Sequence, residues 1–112
     1  MHAGQGSFAI AELIERLAHP EQIIRVHAAT LLGTLGEDAA PAVPALVTLL
    51  KTGDVSDRKL AALTLGEIGP AAAYAVGPLL DASGDEDEDV GDMAAWALEQ
   101  IDLIDDVADE AA

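Results

Sequence analysis

"AATLLGTLGEDAAPAV" occupies residues 28–43, and "AALTLGEIGPAAAYAV" occupies residues 61–76. The two stretches align without a gap at an offset of 33 residues, and the register extends outward in both directions. Arg25 maps to Arg58, and Gly33 and Gly36 map to Gly66 and Gly69. Ala28, Ala61 and Ala94 form one column, and Ala29, Ala62 and Ala95 the next. Leu32, Leu65 and Leu98 form a third, and Leu35, Ile68 and Ile101 a fourth. Backwards, Leu46 and Leu50 map to Leu13 and Leu17. A fixed period of this length is the signature of stacked supersecondary units.

Each unit reads as two helices. The first covers about residues 20–35, with apolar residues at 24, 28, 31, 32 and 35 on one face. Pro20 suits its first turn and Gly36 its C-terminal stop. The second covers about residues 40–51, with Val43, Leu46, Val47 and Leu50 as its stripe and Pro41 and Pro44 near its start, where a missing N–H does least harm. The next pair falls at about 56–68 and 71–82; an unpaired second-type helix at about 8–18 precedes the series, and a first-type helix at about 88–101 closes it. One helix pair cannot bury its apolar faces alone, so each unit repeats the text of the interface it makes with the next. The expectation is an all-α domain, a short right-handed α-solenoid of five to six helices. Its repeats cover 8–102, between a flexible N-terminus at 1–7 and an acidic C-terminal tail at 103–112.

Composition narrows the chemistry. Hydrophobic residues make up 51% of the chain, yet Phe8, Tyr74 and Trp96 are its only aromatics, so the core is built from Ala, Leu, Ile and Val. No cysteine is present, which excludes disulfides, thiol catalysis and thiolate zinc sites. The first ten residues show no secretory pattern. The run "AAPAVPALVTLL" is too short to span a bilayer and holds two prolines, so a cytoplasmic protein with no membrane partner is expected. The formal net charge is −16. Residues 1–80 carry five basic and eight acidic side chains, whereas residues 81–112 carry thirteen acidic and no basic ones. Nucleic acid is disfavoured as a partner because phosphate contacts need clustered cations. The acidity fits either a high-salt cytoplasm or a local feature of the last third.

The columns "IRVHAATLLGTLG" (24–36), "DRKLAALTLGEIG" (57–69) and "VGDMAAWALEQID" (90–102) resemble HEAT-like repeats, in particular the sub-type first named in phycobilisome lyases. The resemblance covers about residues 8–102 and implies a solenoid that serves as scaffold or adaptor and, in some relatives, as an enzyme. It also implies a structural ladder in which an acidic residue before the first helix and an arginine on it link adjacent units. Glu21 with Arg25, and Asp54 with Arg58, match that pattern; in the third unit Asp87 keeps the acid but Gly91 replaces the arginine, so the ladder should stop there.

No reactive constellation is complete. In "SGDEDEDVGD" (83–92), Asp85, Asp87 and Asp89 have the spacing of a calcium loop, but its sixth and twelfth positions hold Val90 and Trp96 in place of Gly and Glu. His2, His19 and His27 lack the following Glu that an iron-binding branch of these repeats would imply. Ser7, Ser56 and Ser83 fall near helix starts or loops, where they cap or turn. No catalytic residue, metal or cofactor is therefore expected.

Two surfaces remain. Thr30, Leu63 and Trp96, beside His27, Leu60 and Met93, form a strip that grows more apolar toward the last unit. Leu60, Leu63, Met93 and Trp96 are association-surface candidates; with no further unit to cover Trp96, the tail (Leu103, Ile104, Val107) or a second chain is expected over it. The concave face, lined by second helices, offers Glu12, Glu15 and Arg16, then Ala45, Thr48 and Leu49, then Pro78, Asp81 and Ala82. The leading function is a non-catalytic module that binds another protein. An enzyme subunit related to bilin lyases, and a block that self-assembles through its C-terminal end, are the alternatives.

Overall fold

A computed structural model describes the backbone of residues 2–111 and the side chains of residues 9–102. The expected flexible N-terminus at 1–7 and the expected tail contacts of Leu103, Ile104 and Val107 lie outside the described side chains. Among the described residues six α-helices follow one another: α1 (His2–Arg16), α2 (Gln22–Thr34), α3 (Val43–Thr52), α4 (Val55–Ile68), α5 (Val76–Ala82) and α6 (Glu88–Ala111). Two 3-10 segments, Gly36–Ala42 and Gly69–Ala75, lead into α3 and α5. No strand occurs among the described residues. Helix α4 packs between α2 and α6 in one layer, and α1, α3 and α5 with the 3-10 segments form the second. The result is a short all-α solenoid, 16 Å across its thinnest axis.

The first-type helices α2 and α4 start and stop close to the expected positions, whereas α6 starts as expected but runs to Ala111, past the expected 101. The second-type helices α3 and α5 begin at Val43 and Val76, later than the expected 40 and 71. The Ala- and Pro-rich lead-ins wind as 3-10 turns, in which side chains three apart eclipse. Ala39 and Ala42, and equally Ala72 and Ala75, have that spacing and are wholly buried. A larger side chain there would force the tight turn off the core. Gly69 makes the corner possible, with φ +79° and ψ −147°. That conformation is essentially restricted to glycine. Asp102 stands at the third glycine position, and α6 runs on to Ala111 without a corner.

The repeated columns form the core. Ala28, Ala61 and Ala94, together with Leu32, Leu65, Leu46 and Leu79, are fully buried. The columns break only at the ends of the stack, and in opposite senses. Leu31 and Leu35 of the first unit are about two-fifths exposed, while their equivalents Thr64 and Ile68 are buried. Ala29 and Ala62 are buried, while their equivalent Ala95 is exposed. Leu31 and Leu35 therefore lie on the side of a first-type helix that meets the preceding unit, and Ala95 on the side that meets the next. This identifies the inter-unit faces residue by residue.

Candidate functional site

The loops between units are held by two arginines. Arg25 Nε donates to Asp57 Oδ1 at 3.0 Å, and its Nη1 donates to the carbonyls of His19 and Pro20 at 2.8 and 2.9 Å. Arg58 forms a fork on Asp85, Nε to Oδ2 at 2.9 Å and Nη2 to Oδ1 at 3.1 Å, while Nη1 donates to the Gly53 carbonyl at 3.0 Å. Each arginine thus ties the loop before its own helix to an aspartate of the next unit. The acids differ from the expected ones. Asp54 accepts instead from the backbone N–H of Asp57 at 2.8 Å, and Asp57 Oδ2 accepts from the N–H of Asp54 at 3.3 Å, a reciprocal cap on α4. Glu21 makes no side-chain cap, and its N–H donates to His19 Nδ1 at 3.0 Å. At α4 the carboxylate before the helix satisfies the helix's own free N–H groups, which leaves Arg58 one turn on to reach across to the next unit.

Neither Asp57 nor Asp85 was expected as an arginine partner, Asp85 having been read only as part of an incomplete calcium-loop spacing. The Asp-x-x-Asp spacing at 54–57 is a capping-box pattern and was the available signal for Asp57. No periodic signal marks Asp85, because its equivalent in the previous unit is Thr52. Asp85 titrates below the usual carboxylate range, first because of the Arg58 hydrogen bonds and then because of the Asp87 N–H, which reaches its Oδ1 at 2.9 Å. The hydrogen bonds to Asp85 raise Arg58 above its ordinary value. Asp87 in turn accepts from the Val90 N–H at 3.1 Å and caps α6. The loop 83–87 thus spends Asp85 and Asp87 on internal bonds. Among the described residues no group of three or more His, Asp or Glu side chains converges in a metal-binding arrangement.

Several grooves open on the described surface, and three of them gather expected site residues. The first, about 790 Å³, is lined by Pro78, Asp81 and Ala82 with Lys51, Asp85 and Glu86. A second, about 260 Å³, lies between α1 and α3 and takes in Ala45, Thr48 and Leu49 with Ile14 and Ala18. Two of the expected concave residues are corrected here: Leu49 and Ala82 are buried core residues that floor these grooves. Stripe-subtraction from sequence missed this because α3 and α5 pack on two neighbours each. Glu12, Glu15 and Arg16 sit exposed on α1, with Arg16 paired to Glu12 at 3.6 Å.

The third groove, about 440 Å³, lies between α4 and α6 and is lined by Lys59, Leu63, Asp89, Asp92, Met93 and Trp96. It gathers three of the four association candidates; Leu60 packs half-buried against the core instead. The expected cover of Trp96 by the tail lies outside the described side chains, and part of the ring's cover comes from within the stack. A methyl group on Gly66 would overlap the indole at Cζ3 and approach Cε3 to 2.8 Å and the Ala97 Cα to 3.0 Å. The ring therefore lies back over the bare backbone of α4, and 37% of Trp96 stays exposed toward the groove.

The family model for HEAT repeats matches residues 10–76. The chain belongs to the HEAT repeat family. The comparison with curated proteins found no match. In this HEAT repeat chain the matched span runs from α1 to the first residue of α5, so α6, which supplies Met93 and Trp96, lies beyond it.

Proposed function

We propose that this HEAT repeat protein is a cytoplasmic, non-catalytic interaction module or scaffold that binds another protein and needs neither metal nor cofactor. The observation that carries the reading is the set of open grooves on a two-layer helical stack. Their walls are fixed by buried columns and by the two inter-unit arginine pairs, so the grooves are presented without loop ordering on binding, which lowers the cost of association. HEAT repeats commonly mediate protein–protein contacts, in keeping with this. Capture from a lysate of the host on immobilised protein tests it: a specific, stoichiometric partner is expected, and retention indistinguishable from that of a matrix carrying an unrelated acidic protein would contradict it. A second reading, an enzyme subunit of the bilin-lyase kind, draws on the likeness of the three residue columns; a shifted bilin absorption band on mixing would favour it.

A further inference from the structure

We propose that the groove between α4 and α6 docks a lysine- or arginine-rich segment of a partner protein, anchored by an apolar side chain, a site that rests on the chain's being an interaction module. The floor is apolar. Leu63 comes from α4, Met93 and Trp96 from α6, and the indole packs on the bare backbone of α4 at Gly66. An aromatic ring packed in this way gives contact area at little entropic cost, and its face attracts a cation.

The rim is acidic. Asp89 stands beside Lys59 at 3.9 Å, and Asp92 makes no ion pair among the described residues. Glu88, Glu99 and Asp102 are further exposed acids on α6, and residues 81–112 hold no cation. Charge decides the occupant. A second copy has the same net charge of −16 and little to offer the rim. Of its five cations, Arg25 and Arg58 are held between units, Arg16 pairs with Glu12 and Lys59 with Asp89, which leaves Lys51. Nucleic acids and anionic lipid are repelled by the same rim. A cationic polypeptide with an aliphatic residue matches both floor and rim.

The test uses the full chain and a synthetic helical peptide of Lys, Ala and Leu, read by the emission of Trp96, the single tryptophan. The same peptide with Glu for Lys is the control. A saturable emission change is expected with the Lys peptide only. Asp89→Asn/Asp92→Asn should weaken it about three- to tenfold, as exposed ion pairs do. Glu37→Gln/Asp38→Asn makes the same charge change at exposed positions in the first unit and should leave affinity within about twofold. Equal weakening by both double variants would reduce the effect to net charge and overturn the site, as would peptide binding, seen by anisotropy, with unaltered Trp96 emission. A partner captured by the wild type and the Asp89→Asn/Asp92→Asn variant alike overturns this site while leaving the interaction-module reading in place.

Discussion

At the scale of single residues, the stack depends on what is absent as much as on what is present. Gly66 carries no side chain because the indole of Trp96 occupies that space. Gly66→Ala should therefore destabilise the fold by roughly 1–3 kcal/mol through overpacking. Gly77, which has open space around its Cα and no positive φ, should accept alanine without loss; urea denaturation of the two variants checks the contrast. Asp85 makes a second prediction, about pH. Its folded-state pKa is depressed by Arg58, so the stabilisation is complete above the unfolded carboxylate value near 3.9 and is lost as pH falls through the folded value. The stability gap between wild type and Asp85→Asn should accordingly be constant near neutrality and close progressively below about pH 4. A gap that stayed the same down to strongly acid pH would show that the Arg58–Asp85 fork contributes nothing. Which acids pair with which arginines was not legible in the sequence. Asp54 and Asp87 precede their helices at the repeat positions, but free helix N–H groups compete for them.

At the scale of elements, the first-type helices were legible because their apolar columns recur in phase and glycine marks two of their ends. The second-type helices were legible as elements and wrong at their starts. A run such as Gly36–Ala42 is compatible with α or 3-10 winding on propensity, and the buried Ala pairs three apart decide it only once the core is known. The corner at Gly69 carries the third prediction. With φ +79° and ψ −147°, alanine there is strained by about 1–3 kcal/mol. Gly69→Ala should lower the urea midpoint at an unchanged m-value; an unchanged midpoint would mean that the corner is not needed. The groove candidates were legible in part for a similar reason. Leu60 and Leu63 lie less than one turn apart on α4, and periodicity alone does not say that Leu63 lines the groove while Leu60 turns to the core.

At the scale of the whole molecule, the end units show how stacking sets burial. Leu31, Leu35 and Ala95 occupy core columns yet are exposed, because each faces the side on which no described unit stands. The α6 side is also altered chemically: Glu99 stands where Gly33 and Gly66 admit a neighbour, and Gly91 where Arg25 and Arg58 reach across. Both changes fall in the third copy of the repeat, so the pattern of close approach and arginine reach seen in the first two copies is not repeated at these two positions. The central claim is that the 33-residue columns are the inter-unit interface. Leu32 and Leu65 are fully buried in one such column. The most direct measurement is chemical denaturation of Leu32→Ala and Leu65→Ala. The account predicts a loss of about 2–5 kcal/mol for each, a large share of a small domain's stability, and a loss under roughly 1 kcal/mol for both would contradict it.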